Sequence, residues 1–191
     1  MALPISRLTL NQFLENERTA EYKSEYYRGE TFAMAGGSPR HARLAMRVSR
    51  AIMNRIDGRD CDAYSSDLKV FTGIDGLCTY PDVTVVCGPL VTAPDEPDLV
   101  MNPKIIVEVL SKSTEAHDRG FKFQRYKQIE TLEQYILVSQ TEPLIESFFR
   151  DSTSAWTGYG EAKGMQAMLV IKCFGIEVPL SEIYRASDFE A

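Results

Sequence analysis

Histidine is scarce in this chain. Only His41 and His117 occur among 191 residues, so a zinc site built on imidazoles would need help from distant acids, and zinc is not expected. The four cysteines, Cys61, Cys78, Cys87 and Cys173, include no Cys-x-x-Cys pair of the kind that holds zinc or forms a redox couple; they are read as reduced thiols, buried or half-buried. No stretch approaches the ~18 consecutive apolar residues of a membrane span. Residues 1–10 lack the long apolar segment of a secretion signal. A cytoplasmic protein with no membrane attachment is therefore expected. There is no Gly-x-Ser-x-Gly elbow, no phosphate-cradling loop followed by Lys-Ser/Thr and no dinucleotide fingerprint. Serine-hydrolase, NTPase and dehydrogenase chemistry thus have no anchor, and no nucleotide cofactor is expected. Excess basic charge is missing too: the net charge is −6. That argues against coating nucleic acid by bulk electrostatics, but not against brief, salt-sensitive binding at a local groove.

At 44% hydrophobic, the chain is long enough for one well-cored domain, residues 1–191, and too short for two comfortable ones. Its most informative feature is a pair of acids in apolar surroundings. Glu108 interrupts the run Ile105-Ile106-Val107-Glu108-Val109-Leu110, and Asp82 opens Asp82-Val83-Thr84-Val85-Val86. Short runs this rich in Val and Ile read as sheet-core strands, where an unpartnered carboxylate costs several kcal/mol or takes up a proton. Alternation puts Glu108 on one face with Ile106 and Leu110. If Asp82 lies on the neighbouring strand, the two acids could converge on a hard divalent ion such as Mg²⁺. A structural ion pair with Arg or Lys is the competing account.

Along the chain, residues 9–22 read as a short helix capped by Thr9, and residues 21–35 as a hairpin tipped near Gly29. Residues 39–56 carry an apolar stripe of Leu44, Val48, Ala51 and Ile52. Beside it Arg40, Arg43, Arg47 and Arg50 recur at intervals of three, four and three. Such a row could follow a phosphate backbone or simply face water. His41, at the start of this helix, is either a helix-start residue or a neighbour of the acid pair. Strands are expected over 63–71, 80–87, 104–110, 134–139, 144–149, 155–159 and 168–174. The Pro-rich segment 88–103 reads as a loop. A helix is expected over 118–129, capped by Asp118, with Lys122, Tyr126 and Ile129 on one stripe. Lys122 there either turns inward to the carboxylates or snorkels to water. Tyr22, Tyr26 and Tyr27 could stack on bases or pack in the hairpin.

Tyr22-Lys23-Ser24-Glu25-Tyr26-Tyr27-Arg28-Gly29-Glu30, then Ala33-Met34-Ala35-Gly36-Gly37 and His41, resemble the N-terminal signature of the Uma-two family of restriction-endonuclease-like proteins. Tyr80-Pro81-Asp82-Val83 resembles that family's Pro-Asp element. Val107-Glu108-Val109-Leu110-Ser111, Ser113-Thr114, Asp118-Arg119, Lys122, Tyr126 and Tyr135-Ile136-Leu137-Val138 resemble its C-terminal half. The likeness runs in order over nearly the whole chain.

The resemblance implies the α/β core of the PD-(D/E)XK nucleases, a central mixed sheet flanked by helices. It implies an endonuclease acting on DNA as a homodimer, with Mg²⁺ or Mn²⁺ held by Asp82, Glu108 and the Val109 carbonyl. The superfamily lysine two residues after the second acid is replaced here by Leu110. Its role passes to Lys122, which would orient the nucleophile or neutralise the transition state, while Glu25 matches this family's version of the superfamily's helical acid and would bind a second metal or a metal-bound water. Asp67 and Lys69 are implied neighbours of the site, and Arg40, Arg43, Arg47 and Arg50 are candidates for backbone contact. A DNA-binding module that keeps the scaffold without activity is the alternative, and RNA or another phosphoester is a third possibility.

Overall fold

Alternating Val and Ile determine where the sheet core forms. In the computed structural model, which describes residues 7–73 and 76–189, the chain begins with α1 (Leu10–Glu17), β1 (Ser24–Tyr27), β2 (Glu30–Ala33) and α2 (Pro39–Ile56). Strands β3 (Cys61–Ser65), β4 (Lys69–Phe71), β5 (Cys78–Thr79), β6 (Val83–Cys87), β7 (Thr92–Ala93), β8 (Glu96–Val100) and β9 (Ile105–Val109) follow. Next comes a helical segment: α3 (Glu115–His117), a π-helical stretch (Asp118–Lys122) and α4 (Phe123–Tyr126). The chain closes with β10 (Gln134–Val138), β11 (Leu144–Phe149), β12 (Gly158–Lys163), β13 (Met168–Ile171), β14 (Ile176–Pro179), α5 (Leu180–Ile183) and a 3₁₀ turn (Ala186–Asp188). Residues 1–6 of the segment read as lacking a secretion signal, and the last two residues of the tail, lie outside the described residues.

The central sheet has six strands in the order β12-β11-β10-β9-β6-β3. It is mixed, because β9 and β10 run parallel while β6 and β9 run antiparallel. One face carries Val83, Val85, Ile105, Val107 and Val109 against the stripe of α2, whose Leu44, Val48, Ala51, Ile52 and Ile56 are all buried. The other face places Ile106, Leu110, Tyr135 and Leu137 under Tyr126, Ile129 and Leu132. Ser38 caps α2 by accepting a hydrogen bond from the His41 amide, and Pro39 supplies a preset first turn. Thr9 and Gln12 form a reciprocal capping box on α1.

A second six-stranded mixed sheet, β2-β1-β5-β4-β8-β7, lies beside the first, and its Val70 packs into the same cluster as Ile106 and Tyr126. This sheet alters two expectations. Residues 63–71 do not form one strand but divide between the sheets as β3 and β4. The Pro-rich segment expected to be a loop contributes β7 and β8, because Leu99 and Val100 are fully buried and need ladder partners; β8 pairs with β4 through Leu99 and Val100. Pro97 sits in β8, next to the short strand β7 at the sheet's edge.

The cysteines also differ from expectation. Cys61 and Cys87 stand opposite each other on β3 and β6 and form a disulfide, whereas Cys78 and Cys173 are free. Their separation of 26 residues gave no local sign of this cross-strand register. No helix among the described residues is long and apolar enough to cross a membrane.

Candidate active site

Antiparallel pairing of Val83 with Val107 brings the start of β6 beside the end of β9. Asp82 and Glu108 therefore share one end of one face. The Val109 amide donates to Asp82 Oδ2 at 2.7 Å. His41 Nε2 lies 3.1 Å from the same oxygen, and its ring also bonds the Val109 carbonyl. The bond to Asp82 outweighs burial and raises the His41 pKa above its ordinary value. Gly37 makes room for this ring, since a Cβ there would fall 2.8 Å from His41 Nδ1. Of its two readings, His41 thus takes that of a neighbour to the acid pair.

Glu108 is almost completely buried. Tyr126 Oη donates to its Oε1 at 2.7 Å, and Lys122 Nζ stands 3.2 Å from that oxygen. Burial pushes the Glu108 pKa up to about 8, with Asp118 and Asp82 raising it further against the pull of Lys122. Lys122 turns inward rather than snorkelling. Its ammonium lies 2.8 Å from Glu25, 3.2 Å from Glu108 and 3.5 Å from Asp118. Burial alone would lower its pKa, but these carboxylates outweigh burial and hold it well above the usual value.

Glu25 arrives from β1 of the second sheet. Burial raises its proton affinity, but His117, Lys122 and the Thr79 hydroxyl overcome that and bring its pKa down to about 2. Glu25, Glu108 and Asp118 thus gather on Lys122, and Asp82 pairs with His41 beside them.

Asp118 was expected as a helix cap and is instead an interior acid of the site, buried and raised in pKa chiefly by burial. The helical segment starts earlier than expected, at Glu115, and passes through π-helical geometry where Asp118 and Lys122 face inward. Such π segments often mark functional positions. Asp118, Lys122 and Tyr126 recur every four residues, which was the available sequence sign of a shared face.

Other candidates lie elsewhere. Asp67 is exposed and pairs with Lys23, and Lys69 pairs with Asp98, so neither joins the acid pair. Arg47 donates to Asp188 at 2.5 Å and to the Ile183 carbonyl, a structural tie between α2 and the C-terminal segment rather than a free phosphate contact. Arg40 donates to the Gln140 carbonyl. Arg43 and Arg50 remain exposed on α2, Arg43 at 3.9 Å from Asp188. Tyr26 is core, stacked on Phe13, while Tyr22 is exposed and Tyr27 half-buried.

Among the described residues, no three His, Cys, Asp or Glu side chains form a closed metal cage. A hard ion such as Mg²⁺ is usually held by only one or two carboxylates and retains its waters. The donors here are all oxygens: Asp82, Glu108 and the Val109 carbonyl. Burial first, and the neighbouring acids second, raise the Glu108 and Asp118 pKa values, and an added cation would offset the cost of ionising them. The residues therefore fit such an ion.

Acids on adjacent strands of a mixed sheet, with a lysine from the following helix, define a restriction-endonuclease-like fold. The fold resembles the crystal structure of "a putative nuclease belonging to DUF820" from Anabaena variabilis ATCC 29413. The TM-score is 0.76, with 96% of this chain and 99% of that one covered at 15% identity, a likeness of fold. The chain belongs to the Uma2 family, described as "Putative restriction endonuclease", whose model matches residues 10–175. Two relatives come from Synechocystis sp. (strain ATCC 27184 / PCC 6803 / Kazusa). Protein slr1290 is 34% identical over 188 residues, 97% of this chain and 96% of its own length. Protein sll1609 is 32% identical over 149 residues, 78% and 84% of the two chains.

Proposed function

We propose that this protein is a divalent-metal-dependent DNA endonuclease that hydrolyses phosphodiester bonds at Asp82, Glu108 and Lys122. The observation that carries the reading is the inward ammonium of Lys122, 3.2 Å from Glu108 on the strand next to Asp82. Asp82, Glu108 and the Val109 carbonyl would hold Mg²⁺ or Mn²⁺, which supplies Lewis-acid polarisation of a phosphate and a lowered pKa for water. The Val109 amide fixes the Asp82 carboxylate, and Tyr126 fixes that of Glu108. Lys122 places positive charge where the phosphate becomes more negative, in a buried setting where that charge counts for more than in bulk solvent. Glu25, held ionised by His117, Lys122 and Thr79, keeps the ammonium in position.

In this reading the exposed Arg43 and Arg50 meet the DNA backbone, and two copies of the chain act as a homodimer in the cytoplasm. A reducing compartment would hold Cys61 and Cys87 as a dithiol. The contact of His41 with both Asp82 and the Val109 carbonyl favours the second reading, a DNA-binding scaffold whose metal site is closed.

Calorimetric titration with Mg²⁺ and Mn²⁺ beside plasmid cleavage, on wild type and Asp82→Ala, separates the two. Binding and nicking that are both lost in the variant support the enzyme. Unchanged plasmid, with no metal uptake by either protein, supports the scaffold. Light scattering tests the dimer.

A further inference from the structure

The hairpin tip beside the acids is made in an unexpected way. Tyr27 pairs with Glu30, leaving Arg28-Gly29 as a two-residue loop with φ of 48° and 91°. Such a turn favours Asn, Asp or Gly at its first position, because other side chains resist positive φ. Gly29 is required for a second reason: a Cβ there would fall 2.5 Å from Arg7 Cβ. An arginine at Arg28 is thus a locally poor choice, of the sort that accompanies function.

Its neighbours suggest which function. The Arg28 guanidinium lies 5.3 Å from the Tyr27 ring centroid, and that of Arg125 lies 5.1 Å from the same ring and 5.3 Å from the Phe121 ring. Tyr27 and Phe121 meet edge-on at 4.8 Å, and His117 stacks on Phe121 at 5.0 Å. Cations and aromatic rings therefore form one continuous cluster. It borders the site directly: His117 Nε2 is 3.6 Å from Glu25, Phe121 precedes Lys122, and Tyr27 shares a strand face with Glu25. Arg28 and His117, both exposed, form its outer layer.

We propose that this cluster of Arg28, Tyr27, Arg125, Phe121 and His117 is the seat for an unpaired segment of the DNA strand next to the scissile phosphate. Planar cations held on rings offer flat faces to bases and positive charge to phosphates, the combination by which single strands are gripped without sequence preference. The acids beside it repel a polyanion, so a local cationic seat is what lets a chain of net charge −6 hold a strand at this place. A closed duplex keeps its base faces stacked internally and cannot use the seat in the same way. This inference rests on the nuclease reading above.

The test is fluorescence anisotropy of a labelled single-stranded oligonucleotide and a hairpin duplex, in EDTA and again in Ca²⁺, with full-length wild type, Arg28→Asn, Tyr27→Leu and Arg43→Asn. Because Asn suits the turn better, Arg28→Asn is expected to melt no lower than wild type. Its single-strand affinity is expected to fall about tenfold, within the range that loss of one base-stacking partner produces. Tyr27→Leu behaves likewise, Arg43→Asn loses less, and duplex affinity changes less than twofold. Single-strand binding unchanged in Arg28→Asn, an equal loss in Arg43→Asn, or an equal loss on duplex overturns the seat. Cleavage by wild type together with any of these leaves the nuclease standing. Wild type that neither binds nor cuts DNA brings down both.

Discussion

Replacing Lys122 with Met removes the ammonium shared by three buried carboxylates, Glu25, Glu108 and Asp118, and roughly keeps the volume of the side chain. Taking one partner from a buried ion pair costs about 3–5 kcal/mol, because the other charge is left without a counterion. Glu25 gives a consistent figure: the fall of its pKa from 4.5 to about 2 corresponds to about 3 kcal/mol, with Lys122 one source alongside His117 and Thr79. The loss is therefore a large part of a usual total stability of ~5–15 kcal/mol. It also carries a pH signature. Glu108 binds its proton more tightly folded than unfolded, so it favours folding below pH 4.5, and that contribution disappears as pH rises to about 8. Without the ammonium the same group, with Asp118, titrates over a wider range, so Lys122→Met should lose most at pH 8 and least near pH 5. Urea unfolding followed by the fluorescence of Trp156, the sole tryptophan, at pH 5, 6.5 and 8 measures this. A loss below about 1 kcal/mol at pH 8, or one that does not vary with pH, would refute the picture of a buried cation compensating several acids.

The remaining outcomes follow from single contacts. Tyr126→Phe removes the hydroxyl from Glu108 and is expected to cost about 1.5–3 kcal/mol in urea unfolding above pH 8, where Glu108 is ionised and the lost bond is to a charged group, and to slow plasmid cleavage. Arg47→Ala leaves Asp188 buried without its partner; a stability loss of about 3 kcal/mol, with DNA affinity changed no more than in Arg43→Ala, would mark it as structural. After oxidation in vitro, thiol titration of the unfolded protein should find the thiols of Cys78 and Cys173 only, and reduction should add those of Cys61 and Cys87 while lowering stability by roughly 3–4 kcal/mol for a closed loop of 26 residues.

Much of the site was readable because local pattern and local structure agree. Residues 39–56 form one helix because an apolar stripe, a Ser38 cap and Pro39 point the same way. Glu108 was conspicuous because β9 is otherwise apolar, so its burial could be inferred from five neighbours. Asp118 was less accessible. Its place after a Ser-Thr break made it look like a cap, and nothing local signals that the backbone widens into a π turn and carries it inward. Arg47 shows the opposite error: a regular arginine row suggested a common role, but its partner Asp188 lies 141 residues away.

The sequence alone determined the helix α2, the hairpin at Arg28-Gly29, the core strands β6, β9 and β10, and the need of Asp82 and Glu108 for a cation, since each follows from periodicity, turn chemistry or the cost of burying charge. Only the tertiary structure decided which groups answer that need. Glu25 crosses from a second sheet to Lys122, His41 reaches round to Asp82 and Val109, Cys61 meets Cys87, and the Pro-rich segment becomes strand because its buried backbone must pair. Those contacts join residues distant in the chain, and their energies depend on burial and register that no short window of sequence contains.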